Sequence, residues 1–291
     1  MRERLIVWVA FLALLCSCSV ARYARGPQTR DIEATPGVRG TIQAVDYPSS
    51  EKDLDHRRMV VYLPESYSAD TLRRFPVFYL LHGARGNEIT WSDSARVLHR
   101  IDSLRAEGKA REFILVMPNM NNYFGEKDYK NGHCVNAVRA FWLLDGEAER
   151  HFMNDVVARV DSLYRTIPSP SGRAIAGMSS GALQSVYLSA NAPGSFGYVG
   201  LFSPYVYPTF AALGHRDVYG SLWKKLEVQF EDPLALYAIY IGKQDFFLPH
   251  IRMFENKLTR KGYPHQFTLT EGGHRWYNWV GFVIDFCEKL F

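Results

Sequence analysis

Arg173-Ala-Ile-Ala-Gly-Met-Ser-Ser-Gly181 sets the frame for the rest of the chain. A short apolar run suited to a buried strand ends in Gly177-Met178-Ser179-Ser180-Gly181, the Gly-x-Ser-x-Gly pattern of a serine on a sharp strand-to-helix turn. The turn forces strained dihedrals on Ser179. Side chains two positions to either side would collide with the incoming strand and the outgoing helix, hence the two glycines. The residues that follow, Ser180 to Ala190, suit a helix whose first N–H groups point at a developing negative charge.

The flanks supply the strands that such an elbow needs. Pro76-Val-Phe-Tyr-Leu-Leu81 and Glu112-Phe-Ile-Leu-Val-Met117 are continuous apolar runs, as expected of strands buried on both faces. Gly197–Phe202, Leu236–Ile241 and Gln266–Thr270 read as further strands. The alternating runs Thr41–Val45 and Arg58–Leu63 read as a hairpin or meander. Helical spacing appears over Glu149–Tyr164, with Phe152, Val156, Val160 and Leu163 on one side, over Pro249–Lys261, and from Trp276 onward. Strands that alternate with helices predict one α/β domain, a mainly parallel central sheet with helices on both faces. Sites in such sheets lie at the carboxyl ends of strands.

Three more strand ends carry chemistry. Leu81-His82-Gly83-Ala84-Arg85-Gly86 is a glycine-punctuated loop that can turn a backbone N–H toward a reacting carbonyl, or serve simply as a tight turn. Ile241-Gly-Lys-Gln-Asp245 places an acid just beyond a strand. Glu271-Gly-Gly-His274-Arg-Trp276 places a histidine in a glycine-rich turn. A serine hydroxyl needs a base, and the base needs an orienting acid. Ser179, Asp245 and His274 provide them in the chain order Ser, Asp, His that goes with this elbow.

Rivals read less well. His82 suits bracing of its own loop better than proton transfer. Glu271 is too near His274 in sequence to reach its far nitrogen, and Asp232 precedes its strand. His215, His250 and His265 lack a comparable setting. Cys134 and Cys287 have no neighbouring ligands at zinc spacing, and sequence leaves open whether they pair.

Composition sets the outer limits. With 291 residues the chain is long enough for one large α/β domain or two small ones, and 47% hydrophobic against 22% charged residues is an ordinary globular balance. A net charge of +4, scattered along the chain, gives no nucleic-acid footprint. Met-Arg-Glu-Arg followed by the apolar stretch Leu5–Leu15 has the form of an export signal. Leu15-Cys16-Ser17-Cys18 resembles a bacterial lipobox, with Cys18 as the lipidated residue. The expected layout is a lipoprotein signal at 1–18, a polar tether at 19–36 and the folded domain at 37–291. The protein is then exported to the periplasm or outer membrane and meets membrane only through its lipid.

The chain resembles the esterase D-like family of esterases, within the α/β-hydrolase superfamily, which includes feruloyl and acetyl xylan esterases of the first carbohydrate esterase family and the mycolyltransferases. The resemblance spans roughly Val60 to Phe291. It rests on Tyr79-Leu-Leu-His-Gly-Ala-Arg-Gly-Asn-Glu-Ile-Thr-Trp91, Gly177-Met-Ser-Ser-Gly181, Gly242-Lys-Gln-Asp245 and Gly273-His-Arg-Trp-Tyr-Asn-Trp279. It implies an α/β-hydrolase fold with Ser179 as nucleophile, His274 as base, Asp245 as its partner, and the Ala84 and Ser180 amides as oxyanion donors. It implies neither metal nor organic cofactor, and a small-molecule or polysaccharide ester, acetyl or feruloyl, as substrate. Siderophore ester hydrolysis, acyl transfer and glycan binding by an inactive member stay open. Where the family often has Met-Gly-Gly after the serine, this chain has Ser180-Gly181-Ala182. Residues 119–147 match no family pattern and are expected to shape the substrate pocket, with Tyr123, Phe124, Trp142 and Trp276 as candidate walls.

Overall fold

A computed structural model describes residues 38–51, 56–84, 86–94, 96–120, 129–130, 133–134, 146–207 and 215–291. The expected signal, tether and Cys18, and the candidate pocket residues Tyr123, Phe124 and Trp142, lie outside the described residues.

Among the described residues, ten strands are numbered in chain order. β1 (Thr41–Pro48), β2 (His56–Leu63), β3 (Val77–Leu81), β4 (Ile114–Pro118), β7 (Arg173–Met178), β8 (Tyr198–Phe202), β9 (Leu236–Gly242) and β10 (Gln266–Thr270) form one sheet. Its order is β1-β2-β4-β3-β7-β8-β9-β10. β2 runs antiparallel to both neighbours, and every pairing from β4 across to β10 is parallel. A separate ribbon, β5 (Tyr129–Lys130) with β6 (His133–Cys134), lies in a stretch where the sequence shows no periodicity.

The runs that read as buried on both faces are so in the fold. Every residue of β3 and β4 is buried. Because strand side chains alternate, β3 feeds two cores. Val77, Tyr79 and Leu81 face one, with Phe152, Val156 and Val160 of α2 (Glu147–Phe152, a π turn Met153–Val157, and Ala158–Leu163), Leu183 and Val186 of α3 (Ser180–Asn191), Leu226 of α4 (Leu222–Gln229) and Phe254 of α5 (Leu248–Lys261). Phe78 and Leu80 face the other, with Val97 and Ile101 of α1 (Val97–Ala106) and Phe282 and Phe286 of α6 (Trp276–Cys287). Burying one such side chain contributes on the order of 1.5–3 kcal/mol, so helices on both faces follow from a sheet that is apolar on both. Gly200 in β8 leaves room for this: a Cβ there would sit 3.0 Å from the Phe286 ring.

Leu163 departs from its expected place. It is exposed, because the π turn widens the spacing of α2 to four residues, and Tyr164 continues the inward line of Phe152, Val156 and Val160 instead. Cys287 is a buried free thiol, its pKa pushed up to about 12 by desolvation. Among the described residues, no helix is long and apolar enough to cross a membrane.

Candidate active site

The parallel register puts Leu81, Gly177, Leu201 and Ile239 side by side, with Gly242 beside Thr270 one strand on. The loops that leave β3, β7, β9 and β10 therefore open on one edge of the sheet, and each carries one of the expected residues.

Ser179 has φ 54° and ψ −115°, a conformation an L-residue holds only when its surroundings enforce it. They do so by close backbone approach. A Cβ on Gly177 would sit 2.5 Å from the carbonyl carbon of Gly181, and one on Gly181 would strike the carbonyl oxygen of His82. The Ser179 N–H donates to Phe202 O at 2.9 Å, which pins the turn to β8. The turn exposes the hydroxyl at the head of α3, where the Ser180 N–H lacks an acceptor within the helix.

Asp245 and His274 are held by each other's loops. The Lys243 N–H donates to Thr270 O and the Gln244 N–H to Gly272 O, both at 2.8 Å. Gly242 lies so close to the Gly272 carbonyl that a side chain there has no room. The side chain of Asp245 is completely shielded from solvent. Its Oδ1 accepts the Phe247 N–H at 2.9 Å, and its Oδ2 lies 3.0 Å from His274 Nδ1. His274 Nε2 lies 3.1 Å from Ser179 Oγ. A carboxylate can only accept, so Nδ1 carries the proton and Nε2 is free to receive one from the serine. The imidazole is caged by the rings of Phe246, Phe247 and Trp279 at 4.5, 5.3 and 4.9 Å.

Of the remaining expected residues, Ala84 lies half-buried in the turn after β3. A Cβ on its neighbour Gly83 would be 3.4 Å from Met178 O, so this loop lies directly on the elbow. Trp276 begins α6 one ring removed from His274. It packs edge-on against Trp279 at 5.2 Å and Trp91 at 5.7 Å. The rival acid Glu271 is exposed and paired with Lys243, and Asp232 is exposed. The cage residues Phe246 and Phe247 gave no sequence signal, since neither falls on a helical or strand period. Among the described residues, no group of three or more His, Cys, Asp or Glu side chains could hold a metal ion.

His82 serves as a strut. The Met120 N–H donates to its Nε2 at 2.9 Å, so Nδ1 carries the proton and donates to Gly83 O at 2.8 Å. Desolvation pushes its pKa down to about 4, below the usual value near 6.5. The folded state thus binds fewer protons than the unfolded state between these values, and stability rises with pH there. The contribution is complete above the unfolded pKa and is lost as pH falls from about 6.5 toward 4, up to about 3 kcal/mol for one proton. Urea melts across pH 4–8 should show this loss, and His82→Gln should flatten it. A wild-type slope unchanged by the substitution would refute the assignment.

Comparison with known proteins places these features. The family described as "Putative esterase" matches residues 52–286. The endo-1,4-beta-xylanase/feruloyl esterase of Xylanibacter ruminicola is 26% identical over 257 residues, 87% of this chain but 31% of that protein. The chain thus spans about a third of that relative's length. Among solved structures, a ferulic acid esterase superposes with TM-score 0.69 at 24% identity, over 87% of this chain and 97% of the other. A CE1 ferulic acid esterase from the anaerobic fungus Anaeromyces mucronatus gives 0.69 at 21%, over 88% and 96%. An S-formylglutathione hydrolase from Staphylococcus aureus gives 0.65 at 18%, over 88% and 99%. With its parallel sheet, its serine elbow and a family match over most of its length, the chain has the α/β-hydrolase fold and belongs to the "Putative esterase" family.

Proposed function

We propose that this protein is an exported serine hydrolase of carboxylic esters that removes acetyl or feruloyl groups from polysaccharide by way of an acyl-enzyme. The observation that carries the reading is the unbroken line Ser179 Oγ, His274 Nε2, His274 Nδ1, Asp245 Oδ2, with links of 3.1 and 3.0 Å, anchored on a serine at φ 54°.

Ser179 attacks the ester carbonyl as His274 Nε2 takes its proton, and Asp245 stabilises the imidazolium. The oxyanion is received by the backbone N–H groups of Ser180 and Ala84, each such donor being worth about 2.7–4 kcal/mol in the transition state. His274 then protonates the departing alcohol, and water attacks the acyl-enzyme by the same route in reverse. No step requires a metal or an organic cofactor. Trp276, one ring removed from His274, is the described candidate for the wall that meets the acyl or alcohol group, and Tyr123, Phe124 and Trp142 are candidates from the sequence alone. The name of the Xylanibacter relative supports a feruloylated polysaccharide as substrate. The lipobox-like Leu15-Cys16-Ser17-Cys18 supports export, with lipid on Cys18 and residues 19–36 as tether.

Initial rates on p-nitrophenyl acetate and methyl ferulate, with Ser179→Ala as blank, test the reading. Turnover of either ester above the blank is expected. Faster turnover of ferulate marks an aromatic acyl pocket, and faster turnover of acetate a small one. Equal rates for the two proteins on both esters would sink the proposal.

A further inference from the structure

The loop from β3 to α1 has a second attachment that the elbow does not explain. Inside the loop, the Gly86 N–H donates to Gly83 O at 3.0 Å, the Asn87 N–H to Thr90 Oγ1 at 2.8 Å, and the Ile89 N–H to Asn87 Oδ1 at 3.1 Å. These bonds tie Gly83 to Gly86 and fold residues 87–90 into a compact turn, but they do not fix where that turn stands. That is done from β4. Two successive residues just past its end each grip the loop. Met120 holds His82 through its backbone N–H, and Asn119 donates its side-chain Nδ2 to Glu88 Oε2 at 2.6 Å.

Glu88 is an expensive way to make such a bond. It is only 3% exposed, desolvation raises its pKa, and its contact with Asn119 joins two groups 31 residues apart. A buried carboxyl group is destabilising by several kcal/mol unless firmly bonded. Asn119 is itself fixed from behind. Its N–H donates to Arg58 O at 3.0 Å and its carbonyl oxygen accepts from Arg57 Nη1 at 2.8 Å. Arg57 in turn is buried in an ion pair with Glu51. A chain of bonded groups therefore runs from β2, through Asn119, to the loop that carries Ala84.

We infer that Glu88 and Asn119 are positioning residues that hold the Ala84 N–H where the oxyanion forms. This rests on the ester-hydrolase reading above and adds to it a pair far apart in sequence whose effect is confined to the transition state. With the Glu88 bond cut, the loop keeps its internal bonds and the Met120 N–H to His82 but loses its second fixed point, so the donor stands off its target. The Asn119 side chain also bonds the His82 ring, so Asn119→Ser loosens both points. Substrate binding, which does not use the oxyanion position, is unaffected.

The test compares wild type, Glu88→Leu, Glu88→Gln, Asn119→Ser and the Glu88→Leu/Asn119→Ser double variant on whichever ester wild type hydrolyses. Each is read by kcat, KM, melting temperature and inhibition by phenylboronic acid, which becomes tetrahedral on a serine and loads the oxyanion position. Glu88→Leu and Asn119→Ser should each lower kcat about 10- to 100-fold, the effect of a donor displaced by about 1 Å. KM should stay within about threefold, and boronate affinity should fall in parallel with kcat. Glu88→Gln keeps an oxygen that accepts from Asn119 and should restore kcat to within about fivefold of wild type, and the double variant should be no slower than the worse single one. Should Glu88→Leu not fold, Asn119→Ser and Glu88→Gln still decide. Wild-type kcat in Asn119→Ser, a loss of kcat with unchanged boronate affinity, or additive losses would each overturn the inference. Wild type that hydrolyses no ester would instead overturn the parent reading.

Discussion

Ser179→Ala should abolish ester hydrolysis, with kcat/KM falling by roughly 10⁴-fold or more and melting temperature nearly unchanged. The expected split follows from the local geometry. The backbone bonds of the elbow, the Ser179 N–H to Phe202 O and the Ser179 carbonyl oxygen from the N–H groups of Ala182 and Leu183, do not involve the hydroxyl. Alanine at φ 54° is as strained as serine, so the fold loses only one half-exposed hydroxyl group. Among the described residues, the neighbouring serines are not placed to take over. Ser180 is buried at the first position of α3, and Ser203, also at positive φ, is wholly buried beyond β8. The residual rate should be that of donors and binding alone, about 10³–10⁴ over the uncatalysed reaction. Ser180→Ala is the matched control: the role proposed for Ser180 lies in its backbone N–H, so this variant should retain most activity. A Ser179→Ala enzyme within tenfold of wild type would remove Ser179 from the chemistry and with it the proposed mechanism.

What the sequence made legible, and what it did not, has a physical basis. Ser179, Asp245 and His274 could be read because each follows an apolar run directly, and in a parallel sheet the ends of such runs share an edge whatever the length of chain between them. Strand order was not legible. The runs alone do not tell that β4 lies between β2 and β3, because apolar patterning marks which faces are buried and not which strands are neighbours. The ribbon at 129–134 was missed although Asn131-Gly132, a strong two-residue hairpin signal, lies between its strands. Its strands are only two residues each, too short for an alternating pattern. Leu163 was misplaced because helical periodicity assumes 3.6 residues per turn and a π turn breaks that phase. Glu88 and Asn119 were invisible as a pair. Each is a polar residue in a loop, and only the parallel pairing of β3 with β4 makes them neighbours.

Asp245→Asn should lower kcat by about 10⁴-fold while leaving the shape of the site intact, through a change of tautomer rather than loss of a contact. Asp245 uses both oxygens: Oδ1 accepts the Phe247 N–H and Oδ2 faces His274 Nδ1. Asparagine has one oxygen and one amide nitrogen. If its oxygen keeps the Phe247 N–H, its NH₂ group points at Nδ1 and can only donate. His274 must then accept at Nδ1 and carry its proton on Nε2, directed at Ser179 Oγ, where it can no longer act as base. The flipped rotamer restores the catalytic tautomer but leaves the Phe247 N–H facing an NH₂ group in a site closed to solvent, a loss of about 1–3 kcal/mol. Neither arrangement reproduces wild type, and the first is favoured. Glu271 cannot substitute, since its carboxylate is exposed on Lys243 and its carbonyl oxygen is held by Asn278 Nδ2 at 2.7 Å. The ¹⁵N shifts of the His274 ring, read beside kcat, distinguish the explanations. A slow enzyme with the Nε2–H tautomer supports the argument. A slow enzyme that keeps Nδ1–H would mean that Asp245 acts by its charge alone, and an enzyme within tenfold of wild type would remove Asp245 from the catalytic line.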